Sequence, residues 1–239
     1  MSEAPSLNDP SRGRISEGPI ASLVDRTLEF VSSELAGWRD DPDRNPEEAE
    51  ERLNAQLCKY LNVAAANRFP MVLFSHEEKQ TGSRRVDISA GPKGGILIGQ
   101  MYHSIYDAFL VFEGKRLPTP GAAREKEYVT GGAARSGGIQ RFKLALHGAS
   151  QTTGAMIGYV QAAPFSEWLS RINRWITAEA ANSSAAGENW SLAEQLADLT
   201  EGPDLGVAGT WSIHSRNNAA VSPEITLRHL WVAISGQPR

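Results

Sequence analysis

The 239-residue chain is 41 % hydrophobic, enough to build a substantial core, and its one cysteine, Cys58, excludes an internal disulfide and offers no zinc cluster, which fits a reducing, cytoplasmic setting. A net charge of −4 speaks against a nucleic-acid partner, yet residues 79–143 hold eleven Lys and Arg against five Asp and Glu while the remainder holds thirteen against twenty-three, so the middle third is a candidate basic surface. No apolar run approaches the roughly 20 residues of a bilayer span, and no membrane partner is expected.

Residues 1–18 mix Pro, Gly, Ser and both charge signs without an apolar segment and read as a disordered tail ahead of one domain over 19–239. Ile20, Val24, Leu28, Val31 and Leu35 recur at helical intervals and predict a helix over 20–37. A second follows over 46–64, opened by Pro46 and carrying Leu53, Leu57, Tyr60, Leu61 and Ala64. The texture then changes to short apolar or alternating runs between Gly, Pro and Ser: MVLF (71–74), RRVDIS (84–89), GILIGQMY (95–102) and AFLVFEGKR (108–116), a strand meander. After the small residues of 131–138, Ile139, Phe142 and Leu146 predict a helix, and AMIGYVQ (155–161) another strand.

Phe165, Trp168, Leu169, Ile172, Trp175 and Ile176 share one stripe of a helix over 165–180, which makes Trp168 and Trp175 core residues rather than base-stacking ones. Ser191 and Glu194 have the spacing of a capping box opening a short helix through Leu199. GTWSIHS (209–215) and EITLRHLWVAIS (224–235) predict a closing antiparallel hairpin in which His214 and His229 face each other, as a structural hydrogen-bonded pair or, in the competing reading, as metal ligands or a general base. The elements together predict an α/β fold with a central mixed β-sheet flanked by helices.

One strand ends in charge. Positions i and i+2 of a strand share a face, so Glu113 and Lys115 stand side by side above Phe109 and Val111. A carboxylate and an ammonium at the end of a buried strand are costly unless paired, and a divalent cation with a water molecule would satisfy both. The triplet Glu77-Glu78-Lys79 has the same spacing but runs into the QTGS turn, whereas Glu113 crowns an apolar strand. A hard cation needs a second oxygen ligand, and Asp87, between Val86 and Ile88, supplies one from a neighbouring strand.

An acidic residue on a first helix, Asp on one strand, and Glu-x-Lys on the next followed by a helix resemble the PD-(D/E)xK nuclease superfamily, with its restriction-endonuclease-like core. The resemblance covers residues 46–161, rests mainly on "RRVDI" and "FLVFEGKRLP", and continues in helix 138–147 and strand 155–161; 162–239 add C-terminal helices and the hairpin. "GGIQRF" and "GAMIGYV" are similar to segments of members found in phage defence. The chain departs from the pattern before Asp87, where Arg85-Val86 replace the motif's proline.

The resemblance implies that Asp87 and Glu113 ligate Mg²⁺, with Mn²⁺ as a substitute, and that Lys115 assists the water attacking a phosphodiester. Glu50 is the candidate helical carboxylate, three, seven and eleven residues before Leu53, Leu57 and Leu61 and so on the inward stripe; Glu51 is one notch round, and a plain interaction of Glu50 with the helix dipole is the competing reading. Arg84, Arg85, Arg116 and Lys143 are candidates for a phosphate-tracking groove, and Gln140 and Arg141 for polar groups directed at the metal or scissile phosphate. The implied function is a metal-dependent endonuclease cutting DNA, with RNA left open, in bacterial anti-phage defence or restriction, as a homodimer or with a partner subunit. The alternative is a catalytically inactive nuclease-fold subunit acting as a nucleic-acid-binding or scaffolding component.

Overall fold

The computed structural model describes residues 20–46, 49–79, 85–98, 101–121, 124–182, 189–202, 206–216 and 222–234; the N-terminal segment expected to be a tail lies outside them. Helix α1 (Ile20–Asp40) buries Leu28, Val31, Leu35 and Trp38 at intervals of three and four, the apolar stripe expected of it. Helix α2 (Glu50–Arg68) buries Leu53, Leu57, Leu61 and Ala65 on a second stripe. It begins at Glu50 and not at Pro46, because Ala49 is extended (φ −73°, ψ 130°); Glu50 and Glu51 thereby occupy the first turn, where the helix dipole favours acids.

Strands β1 (Val72–Lys79), β2 (Arg85–Pro92), β5 (Leu110–Leu117), β6 (Thr153–Val160), β7 (Thr200–Glu201), β8 (Val207–Ser215) and β9 (Glu224–Ala233) form one mixed sheet in the order β1-β2-β5-β6-β9-β8-β7. The centre, β5-β6-β9, is parallel, and both flanks are antiparallel. The closing hairpin β8–β9 is the predicted one. The single strand expected over 95–102 is instead two short strands, β3 (Ile96–Ile98) and β4 (Met101–His103), paired in a separate small sheet. Helix α3 (Gly138–Lys143) lies in the β5–β6 crossover; it is shorter than expected because Ala145 adopts a left-handed φ of 51° and ends the run. Helix α4 (Phe165–Ala181) follows β6 and buries Trp168, Ile172, Trp175 and Ile176.

The sheet separates two apolar layers. Phe112, Ile157 and Tyr159 pack with α1 and α2, whereas Val111, Leu117 and Met156 pack with Ile139 and Phe142 of α3 and Ile172 of α4. Alternation along β5 therefore sends Glu113 and Lys115 to the second face. Among the described residues no helix is long and apolar enough to cross a membrane.

The expected capping box at Ser191 does not form: Ser191 makes no side-chain cap, and only a 3₁₀ turn, Leu192–Glu194, is present. Lys143 draws the Glu194 carboxylate into the interior instead, with Nζ 2.6 and 2.7 Å from its two oxygens. From there a buried hydrogen-bond relay runs under the hairpin. His214 Nδ1 is 3.0 Å from Glu194, His214 Nε2 is 2.7 Å from Ser212 Oγ, and Ser212 Oγ is 2.8 Å from His229 Nε2. Tyr128 links His229 Nδ1 to Trp231 Nε1, both at 2.8 Å.

Trp231 can only donate and the Glu194 carboxylate can only accept, so the direction of every bond is set from both ends. Tyr128 donates to His229 Nδ1, His229 Nε2–H to Ser212, Ser212 to His214 Nε2, and His214 Nδ1–H to Glu194. Each imidazole carries one proton and is neutral, and burial pushes the pKa of both below the ordinary histidine range. The expected histidine pair is thus structural, joined through Ser212. Ser212→Ala would leave two ring nitrogens unpartnered in the core and lower the unfolding free energy by about 1–3 kcal/mol; an unchanged urea midpoint would remove the relay as a source of stability.

Candidate functional site

The register of the sheet builds the site. Strands β2 and β5 pair from Ala90↔Leu110 to Ile88↔Phe112, and there their ladder stops. Beyond that point β2 continues with β1 to Lys79↔Arg85, and β5 continues with β6 to Leu117↔Val160. The sheet opens between β2 and β5, and the next residues at the opening are Asp87 and Glu113. The Gly114 amide donates to Asp87 Oδ2 at 2.7 Å, so a side chain takes the place of the lost backbone acceptor.

Gly114 explains why the triplet reads Glu-Gly-Lys. A Cβ at this position would sit 2.1 Å from Asn54 Oδ1, so glycine is what lets α2 approach β5. Asn54 accepts a hydrogen bond from the Tyr159 hydroxyl at 2.7 Å, and one turn before it Glu50 reaches over the strand end. Glu50 Oε1 lies 2.7 Å from Lys115 Nζ, and its Oε2 accepts from the Arg116 amide at 3.1 Å. Glu51, the alternative carboxylate, is exposed.

Glu113 has no exposed surface and is surrounded by positive groups. Its Oε1 is 2.9 Å from Lys115 Nζ and 2.5 Å from an Arg141 guanidinium nitrogen. His147 Nδ1 stands 3.0 Å from Oε2, close but out of line for a hydrogen bond. Burial alone would raise the Glu113 pKa, but Lys115, His147 and Arg141 outweigh it and hold the carboxyl down to about 2. Burial would likewise discharge Lys115, yet Glu113, Glu50 and Asp87 reverse the balance and hold its ammonium above the ordinary lysine range.

Asp87 is the unbalanced member. Burial first, then Glu113 and Glu50, push its carboxyl up to about 8, against the opposing pull of Lys115 and the Gly114 amide. The arrangement collects an ionised carboxylate, a fixed ammonium, a partly exposed guanidinium and a carboxyl that holds its proton through neutrality. Among the described residues no group of three or more His, Cys, Asp and Glu side chains forms a ready metal cage.

The remaining candidates divide. Arg141 belongs to the site through Glu113. Arg116 is partly buried beside it, with Nε on Gln161 Oε1 at 2.9 Å. Arg85 is exposed and pairs with Glu77 at 2.6 Å, and Arg84 lies outside the described residues. Two expectations need correction. Lys143 does not face a phosphate groove but is buried against Glu194 and accepted by the Ser215 carbonyl at 3.1 Å, because its ammonium balances the only acid at that end of the relay. Gln140 is turned away from the cluster into the loop before α3, where its amide bridges the Gly131 N–H at 2.9 Å and the Gly132 carbonyl at 3.0 Å.

His147 was not legible in advance: it sits in a polar HGAS turn after α3, and the turn in which the Leu146 and His147 amides both donate to the Arg141 carbonyl, at 2.9 and 3.3 Å, folds it back onto Glu113. Comparisons of the chain with protein-family models, with curated proteins and with solved structures yield no match.

The Asp87 shift has a consequence for stability. Between its ordinary value of 3.8 and its folded value of about 8 the folded chain binds the extra proton, so this group makes stability fall as pH rises through that window. Glu113, shifted the other way, acts only as pH falls below 4.5. Asp87→Asn is therefore expected to be more stable than wild type near pH 8, with the gap closing towards about pH 4. A urea midpoint difference that does not change with pH would show that the cluster does not hold this proton.

Proposed function

We propose that the chain is a metal-dependent endonuclease of the PD-(D/E)xK type, with a restriction-endonuclease-like core, that hydrolyses phosphodiester bonds of DNA in bacterial anti-phage defence or restriction. The observation that carries the reading is the convergence of Asp87, Glu113, Lys115 and Glu50, from two strands and a helix, at the opening between β2 and β5. A structural ion pair needs two partners. Here three carboxylates gather near Lys115 with Arg141 at the edge, and the Asp87 carboxyl, raised first by burial and then by Glu113, is left without a cation of its own among the described residues.

The donor set suits magnesium, a hard cation commonly held by one or two carboxylates with water and substrate oxygens completing its shell. Asp87 and Glu113 would hold it, with manganese as a substitute. Bound metal supplies Lewis-acid polarisation of a phosphodiester oxygen. Lys115, kept charged by Glu113 and Glu50, is a donor and not a base: its ammonium orients the attacking water and steadies negative charge growing on the phosphate. Arg85 and Arg116, on the strands that flank the opening, extend positive charge along the path of the nucleic-acid backbone, and a second copy or a partner subunit would supply sequence selection.

One observation favours the alternative of an inactive nuclease-fold subunit. Glu113 Oε1 already meets the two cations Lys115 and Arg141, and Oε2 faces the His147 ring, so the charge of the carboxylate is balanced without a metal. Supercoiled plasmid separates the two. The purified protein should nick it with Mg²⁺ or Mn²⁺ and not with EDTA, and Lys115→Ala and Asp87→Asn should each lose about a hundredfold or more in rate. Mg²⁺ should also raise the melting temperature of the wild type but not of Asp87→Asn. Plasmid that stays intact in every metal, with no thermal shift, would leave only the non-catalytic reading.

A further inference from the structure

We propose that Arg141 is a latch on Glu113: its guanidinium occupies one oxygen of the carboxylate until a nucleic-acid phosphate draws it away, so that metal and substrate bind cooperatively. The inference rests on the nuclease reading and concerns how that same site is regulated.

The three groups around Glu113 differ in how firmly they are held. Lys115 is 5 % exposed and is tied at three points, to Glu50 at 2.7 Å, to the Gly114 carbonyl at 2.9 Å and to Glu113 at 2.9 Å. His147 is 1 % exposed, and its ring meets Phe142 edge-on. Arg141 is the exception: its side chain is 27 % exposed, and Glu113 is its ionic partner among the described residues. The backbone beneath it is fixed, since the Arg141 carbonyl accepts from Leu146 at 2.9 Å and His147 at 3.3 Å, and Lys143, two residues on, is anchored in the relay. What can move is the guanidinium alone.

A cation on Glu113 Oε1 opposes a dication at the same carboxylate, so the latch weakens metal binding in the free protein. A phosphodiester offers the guanidinium two non-bridging oxygens, which match its donor fork better than one carboxylate oxygen does. Transfer of Arg141 from Glu113 to phosphate leaves Lys115 as the one cation on that oxygen among the described residues and places a positive group on the substrate in one movement. The coupling is reciprocal: whatever substrate adds to metal affinity, metal adds to substrate affinity.

The test is Mn²⁺ binding to the full chain, followed by electron paramagnetic resonance and calorimetry, with and without a duplex whose phosphorothioate linkages resist cleavage. Arg141→Gln should bind Mn²⁺ about tenfold more tightly than wild type in the absence of duplex, the scale of one lost charge-assisted contact. Duplex should tighten Mn²⁺ binding to wild type by a similar factor and leave the variant nearly unchanged. Arg141→Lys, which keeps the charge but not the fork, should fall between them, and serves if the glutamine variant does not fold. Equal or weaker Mn²⁺ binding by Arg141→Gln, with plasmid nicking by wild type intact, would overturn the latch and leave the nuclease reading standing. No Mn²⁺ binding by any form, with or without duplex, together with intact plasmid, would remove both.

Discussion

A carboxylate with no water around it governs this structure. Glu113 is wholly buried on a central strand, where an uncompensated charge costs several kcal/mol, and it is ionised because three positive or protonatable groups converge on it. Each comes from a different direction in the chain: Lys115 from the same strand two positions on, Arg141 from α3, His147 from the turn after α3. The crossover between β5 and β6 is therefore constrained twice, by apolar packing of Ile139 and Phe142 and by delivery of a guanidinium and an imidazole to one side chain.

The same charge explains the breach in the sheet. Antiparallel pairing of β2 with β5 ends at Ile88↔Phe112, where continued pairing would have set Asp87 and Glu113 directly opposite one another with like charge. The strands part, Asp87 caps the Gly114 amide, and the glycine admits α2 close enough for Glu50 to reach Lys115. A local electrostatic conflict thereby leaves acids and a fixed ammonium together at the point where the two strands part. Asp87 absorbs what remains of the conflict by keeping its proton.

Much of this was readable from residue order. The helical stripe through Leu53, Leu57 and Leu61 placed Glu50 inward, strand periodicity placed Glu113 beside Lys115, and the apolar neighbours of Asp87 marked it as a strand residue with a costly charge. What could not be read is what depends on pairing between distant segments. The breach after Ile88 is a property of three strands and leaves no mark in any one of them. Lys143 and Gln140 look like surface residues of a polar helix, and only a fold that brings Glu194 and the 131–132 loop against them turns them inward. Ser191 and Glu194 fit a capping box by spacing, but a buried lysine competes for the same carboxylate and wins, because an exposed cap is worth about 1 kcal/mol whereas an unpaired buried ammonium costs several. The reading of residues 95–102 as one strand failed for a similar reason, since neither half of the run announces that it will pair with the other.

The interior holds two polar systems, and the contrast between them bears on function. The relay from Lys143 to Trp231 is matched bond for bond: its donors and acceptors alternate without conflict, its one carboxylate meets its one ammonium, and both histidines are neutral. That is the form buried polarity takes when its task is to hold strands in register. The cluster at Glu113 is not matched. It keeps a carboxyl protonated near neutral pH, leaves Glu113 Oε2 and His147 Nδ1 close but unbonded, and exposes one guanidinium. A core selected only for stability would do better with apolar residues of the same volume, which commonly replace buried ion pairs at no cost. An imbalance of this kind, at an opening in the sheet and in the most basic stretch of the chain, is the feature on which the proposed cation and phosphate site rests.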